Sequence, residues 1–143
     1  MAGTFYPGNA AELAVAVREC LAGTAAPVAP AASPKALIVP HAGYVYSGPI
    51  AAGAYARLAS LRSTIRRVVI LGPTHRVAVR GLALPSARAF ATPLGDVEVD
   101  REAVATLAGL RQVVVSDSAH ALEHSLEVQL PFLQSVLDDF RIV

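Results

Sequence analysis

The sequence predicts an α/β fold, a mixed and largely parallel sheet flanked by helices, and three observations predict it. Two continuous apolar runs, KALIV at 35–39 and RVVIL at 67–71, have the length and uninterrupted pattern of strands buried on both faces. Between them lies a stretch with apolar residues at helical spacing. The order strand, helix, strand is that of a parallel pair joined by a right-handed crossover. The composition supplies the third observation: 54% of the 143 residues are apolar and 16% charged, so the chain can build a core rather than remain disordered. At this length residues 1–143 read as a single domain. With 28 Ala and 18 Val against 4 Phe, 4 Tyr and no Trp, its core packs small side chains closely.

Each element follows from local pattern. After the Gly8-Asn9 turn signal, Leu13, Val17, Cys20 and Leu21 mark one face of a helix over 10–22, and Gly23 offers its stop. The Pro/Ala-rich stretch 24–34 has no periodicity and reads as a connection. Strand 35–39 ends at Pro40-His41. A helix is then expected with Ser47 as N-cap, Pro49 in its first turn, and Ile50, Ala54, Leu58 and Leu61 as its buried stripe. Strand 67–71 ends at Gly72-Pro73-Thr74-His75. Shorter strands are expected at 81–84 and 97–99, separated by a segment that includes the turn-rich residues 91–96. Asp100 caps a helix to about Leu110 with Ala103, Leu107 and Leu110 on one face, and 112–115 is another strand. A last helix begins near Leu122 or His124, carries Leu126, Leu130, Leu133 and Leu137, and is expected to kink at Pro131. Phe140 to Val143 starts a further strand, expected to lie as an unpaired edge beside an uncovered apolar face, which predicts a homo-oligomer.

Charge and composition exclude several classes. Twelve basic against eleven acidic residues give a net charge of +1 without a basic cluster, so no nucleic-acid partner is expected. No apolar stretch approaches the roughly 20 residues of a membrane span. The N-terminus has no leader-like pattern, and the single cysteine, Cys20, suits a reducing compartment, so a cytoplasmic location is expected. Cys20 itself, on the apolar face of a helix, reads as an inert thiol. Phosphate-binding glycine loops and the G-x-S-x-G elbow are both missing from the sequence.

The chemistry rests on four histidines. His41 and His75 each stand just past the C-terminal end of an apolar strand, where ligands bind in open α/β sheets. If the two strands are parallel neighbours, both imidazoles converge on one crevice. His124 belongs to the cluster Glu123-His124-x-x-Glu127. On a helix His124 and Glu127 share a face, offering a proton acceptor, a metal ligand and a carboxylate to orient an imidazole. A solvated first helical turn, with its glutamates placed favourably toward the helix dipole, accounts for the pattern better on sequence alone. His120, in a loop-like segment, reads as an ordinary structural residue. Phe5, Tyr44 and Tyr46 either wall a pocket or fill an alanine-rich core. Two histidines and a carboxylate match both non-haem iron and catalytic zinc.

The motifs AGTFYP (2–7), PHAGYVYSG (40–48), LGPTH (71–75) and EHSLEVQLPFL (123–133) together resemble the Memo family, whose bacterial and archaeal members include AmmeMemoRadiSam system protein B. The resemblance runs nearly end to end. It implies a fold like that of class III extradiol dioxygenases and a metal site with His41 and His75 as ligands, to iron or copper by preference and to zinc as an alternative. It places His124 in a motif that borders the same pocket, where, on the reading of the residues, His124 and Glu127 shape the pocket or assist proton transfer. It implies AMMECR-type and radical SAM proteins as partners. Family members are about twice this length and carry a further pocket histidine and a cysteine ligand in their second half, so the chain resembles an N-terminal half, truncated before the domain is complete. The function expected is that of a metal-dependent oxidoreductase; a non-catalytic module binding a peptide or partner protein in the same crevice is the alternative.

Overall fold

Asn9 begins the first helix: its side-chain oxygen accepts from the backbone N–H groups of Ala11 and Glu12, satisfying donors that the first turn leaves free. The computed structural model describes residues 1–24 and 33–143, so most of the 24–34 connection lies outside the described residues. Helix α1 spans Ala10–Ala22, as its periodicity predicts, and buries Leu13 and Val17. Helix α2 spans Tyr44–Tyr55 and runs on into a 3-10 helix, Ala56–Leu61. Helices α3 (Arg101–Ala108), α4 (Ser118–Ala121) and α5 (Leu130–Val136) complete the set.

The fold is mixed α/β, with small ladders in place of one broad sheet. Strand β1 (Arg67–Val68) pairs in parallel with β6 (Arg141–Ile142), and β2 (Leu82–Leu84) in parallel with β5 (Val113–Val115). Strands β3 (Ala89–Thr92) and β4 (Gly95–Glu98) form an antiparallel hairpin across Pro93-Leu94, with Thr92 opposite Gly95. Gly95 takes φ of 117°, a conformation that other residues rarely adopt. Strand β3 falls in the segment between the two expected strands, where the sequence marks only the turn-rich residues 91–96. Gly81, at φ of 90°, lies so close to the Gln112 carbonyl that a Cβ would stand 2.1 Å from its oxygen, and this closeness lets β2 meet β5.

Several expectations are corrected. Residues 35–39 form no ladder with 67–71; β1 pairs with β6 instead. Leu37 and Val39 pack on the core while Ile38 is 100% exposed, so this apolar run is covered on one face only. Helix α2 starts at Tyr44 rather than beyond Ser47, because Gly43 turns the chain and the Ser47 hydroxyl donates back to the Ala42 carbonyl. Its buried side is therefore Tyr44, Ser47, Gly48, Ala51, Ala52 and Tyr55, and Ile50 faces outward. Pro49 sits inside this helix, where the Val45 carbonyl it leaves unbonded is on the exposed side. Pro131 produces no kink: a 3-10 helix, Glu127–Gln129, precedes α5, which begins at Leu130, so the proline occupies the first turn and costs no hydrogen bond. The C-terminal strand is no edge either. Ile142 lies between Val68 of β1 and Val99, which it bridges in parallel, and its carbonyl accepts from the Asp100 N–H.

The core lies where α1, α2 and α5 meet. Leu13 and Val17 face Ala51, Ala52 and Tyr55 across to Leu130, Phe132 and Leu133, and the Tyr55 and Phe132 rings stack with centroids 5.3 Å apart. Small residues permit this closeness: a Cβ on Gly48 would lie 3.0 Å from the Cys20 sulfur. Burial, then Glu19, pushes the Cys20 thiol up, consistent with an inert role. Asp100 caps α3 by accepting from Ala103 N–H and pairs with Arg67 at 2.6 Å, tying α3 to β1. Among the described residues no helix is long and apolar enough to cross a membrane.

Candidate metal centre

Three segments deliver three imidazoles to one place. His41 leaves the extended run 36–40, His75 follows the chain beyond β1, and His124 lies in the turn between α4 and the 3-10 helix. One nitrogen of each lies within 4.8 Å of the other two. The His75 and His124 rings stack with centroids 4.6 Å apart, and His41 stands 5.3 Å and 5.7 Å from them. The strand-end pattern thus locates His41 and His75 together, though their strands are not paired. His124 joins them as a third nitrogen donor.

The carboxylate against the histidines is Glu123, not Glu127. Residues 122–126 are not helical, so the spacing of three between His124 and Glu127 does not put them on one face. Glu123 is buried and accepts from His75 N–H at 2.6 Å, from His75 Nδ1 at 2.8 Å, and from the N–H groups of His124 and Ser125 at 2.9 Å each. Burial raises its carboxyl, but the backbone N–H groups of His75 and Ser125 and the His75 ring outweigh this and hold it at about 2. An ionised carboxylate only accepts, so the proton it holds lies on His75 Nδ1, and in the neutral ring Nε2 is then the nitrogen with the free lone pair. Burial pushes His124 down; Glu123 opposes this, and His75 and His41 add to it. A neutral imidazole is the form that binds a metal.

The stretch 123–129 holds the surroundings in register. Ser125 Oγ donates to the Pro73 carbonyl at 2.9 Å, fixing the turn before His75, and a Cβ on Gly72 would lie 2.7 Å from that oxygen. Gln129, buried, donates to the Pro40 carbonyl at 3.2 Å and accepts from Tyr55 OH at 2.8 Å, fixing the residue before His41. Phe5 stacks on His124 with centroids 4.2 Å apart. Glu127 turns to the other side, where it accepts from Tyr6 OH and pairs with the Met1 amine at 3.2 Å. Tyr44 is a core residue whose hydroxyl donates to the Val128 carbonyl, and Tyr46 is exposed. His120 belongs elsewhere. Its Nε2 lies 3.2 Å from the Ala83 carbonyl, and it lines an apolar cavity of about 240 Å³ between the two parallel ladders, which includes Leu71, Leu84 and Leu126 but none of the three clustered histidines. Glu123 and Ser125 form the wall between that cavity and the cluster.

An α/β chain whose loops gather three imidazoles, two of them against a buried, ionised carboxylate, is compatible with metal binding: nitrogen donors, and a carboxylate that fixes a tautomer. The chain belongs to the Memo-like protein family, whose model matches residues 1–143. Among curated relatives, it is 45% identical to a MEMO1 family protein of Ignicoccus hospitalis, over 100% of this chain and 53% of the relative. It is 43% identical to one of Aeropyrum pernix, over 99% and 53%, and 39% identical to one of Thermotoga neapolitana, over 100% and 54%. The chain therefore spans about half the length of the curated relatives it matches.

Proposed function

We propose that this chain is a Memo-family metal-binding protein that holds an ion through His41, His75 and His124, and that the ion is iron or copper in an oxidoreductase. The observation that carries this reading is the convergence of three imidazole nitrogens within 4.8 Å, backed by a carboxylate. Imidazole suits iron, copper and zinc alike, and three protein ligands leave positions open for a substrate. The motif resemblance to a dioxygenase-like fold favours a redox metal over zinc. On the same resemblance we propose AMMECR-type and radical SAM proteins as partners and the cytoplasm as location.

A redox ion bound here would supply electron transfer or oxygen chemistry, and zinc would supply Lewis acidity. The chain's own residues supply placement. Glu123 holds the proton on His75 Nδ1 and keeps Nε2 basic, Phe5 restrains the plane of His124, and Ser125 and Gln129 hold the turns that deliver His75 and His41. The test is metal analysis of protein loaded separately with Fe(II), Cu(II) and Zn(II) and then desalted. One ion per chain is expected, lost in the His41→Ala, His75→Ala double variant and weakened in His124→Ala. Unchanged metal content in the double variant overturns the ligand assignment. Loading by zinc alone, without oxygen consumption in the iron or copper forms, overturns the oxidoreductase reading.

A further inference from the structure

His41 reaches the cluster on a segment that no ladder holds. Residues 36–40 have no strand partner, and among the described residues no backbone-to-backbone hydrogen bond involves any residue from 36 to 41. His75 and His124 are held differently. Their rings stack on one another, Glu123 accepts from the backbone of both and from the His75 ring, Ser125 fixes the turn before His75, and Phe5 stacks on His124. The hydrogen bond that ties the His41 segment to the rest of the described fold comes from a side chain. Gln129 Nε2 donates to the Pro40 carbonyl at 3.2 Å and to the Ser125 carbonyl at 3.5 Å, and so joins that segment to the stretch that holds the other two imidazoles.

Both carbonyls only accept, so the amide nitrogen of Gln129 faces them and its oxygen is left for the Tyr55 hydroxyl, which donates to it at 2.8 Å. Gln129 and Tyr55 are buried, so water replaces neither partner when one is removed. Tyr55 is itself fixed in the helical core, where its ring stacks on Phe132. We propose that Tyr55 is a positioning residue for His41, and that by anchoring the Gln129 amide it decides whether the third imidazole stands with the other two. The cluster is then a fixed pair, His75 with His124, joined by a nitrogen whose place depends on two buried side chains outside the ligand set. The consequence for an ion rests on the proposed ligands; the placement of His41 does not, because it can be read without metal.

Proton NMR of the metal-free 143-residue chain provides the test. Nuclear Overhauser contacts of the His41 ring with those of His75 and His124, whose centroids lie 5.3 Å and 5.7 Å away, are expected in the wild type. They should be lost in Gln129→Met and in Tyr55→Phe, while the contact between His75 and His124 persists. Tyr55→Phe keeps the stacked ring and carries the test alone if Gln129→Met does not fold. The control is Tyr44→Phe, which removes another buried hydroxyl of α2, the one bonded to the Val128 carbonyl, and should keep all three contacts. Loading with cobalt(II) gives a second readout. The Gln129 and Tyr55 variants should bind it roughly 10–100-fold more weakly, with an altered visible spectrum, and Tyr44→Phe should match the wild type. Unchanged His41 contacts in Tyr55→Phe overturn the proposal. So does their equal loss in Tyr44→Phe, which would make the effect a general loosening of the core. A wild type that leaves cobalt unbound while the contacts behave as expected overturns the ligand set and supports the positioning role.

Discussion

Replacing Glu123 by glutamine changes one atom of the side chain and disturbs four hydrogen bonds. Oε1 accepts three of them, from the His75 ring and the N–H groups of His124 and Ser125, and Oε2 accepts the fourth, from His75 N–H. In the best arrangement of Glu123→Gln the amide oxygen takes the place of Oε1 and the NH2 faces His75 N–H, donor against donor. One hydrogen bond to a charged acceptor is lost, costing roughly 1.5–3 kcal/mol, and the other three weaken because charge-assisted bonds are about twice as strong as neutral ones. Ser125 is buried, so water replaces little of the loss there. The sum is about 3 kcal/mol, a large part of the roughly 5–15 kcal/mol that holds a domain of this size together. With a urea slope of about 1.5 kcal/mol per molar, the unfolding midpoint followed by circular dichroism should fall by about 2 M. The affinity of a metal held by His75 should fall about 10–100-fold in parallel, because the proton on Nδ1 loses its ionic acceptor. A midpoint shift below about 0.5 M would show that the four bonds do not act as the geometry requires.

Three further outcomes are expected. Gly72→Ala places a Cβ 2.7 Å from Ser125 Oγ and 2.8 Å from a Leu126 methyl, so it should cost about 1–3 kcal/mol in thermal or chemical unfolding and weaken metal retention with it. Tyr44→Phe removes the hydroxyl bonded to the Val128 carbonyl and should cost about 1–2 kcal/mol, measured by the same unfolding, without changing metal stoichiometry. The Ala103 N–H and the Arg67 side chain hold the Asp100 carboxyl below its ordinary value. A carboxylate depressed in the fold stabilises it above its unfolded pKa, about 3.9, and stops doing so as pH falls below that toward the folded value. The difference in melting temperature between the wild type and Asp100→Asn should therefore be largest near neutral pH and shrink in acid. A difference independent of pH would remove Asp100 from that linkage.

The residues that sequence exposes and those it hides differ in how local their constraints are. Asn9, Asp100 and the periodic face of α1 are set by hydrogen bonds and spacings a few residues long, and they are legible. His41 and His75 are legible because leaving an extended segment through glycine and proline turns is also a local event. The face of α2 is not, since a helix apolar on every side gives periodicity nothing to choose between. The hairpin β3–β4 hides behind Thr92-Pro93-Leu94-Gly95, whose turn chemistry marks the bend but not the four-residue strand before it. Helical spacing points to Glu127 as the partner of His124, but the chain is not helical at 122–126. Only the tertiary fold decides which glutamate faces the histidines. The motif EHSLEVQ nonetheless marks the segment, and with it His124 and Glu123 together.

The seven residues from Glu123 to Gln129 reach, in alternation, His75, the Pro73 carbonyl, Tyr6, and the Pro40 carbonyl with Tyr55. A segment anchored at so many separate points has no small opening motion available to it, because freeing one bond leaves the rest in place. The backbone amides of His124, Ser125 and His75, all donated to one carboxylate, should then exchange with solvent deuterium only when the whole molecule unfolds. Their exchange rates would report global stability directly, and a bound ion would slow them by the same factor by which it lowers the unfolded population.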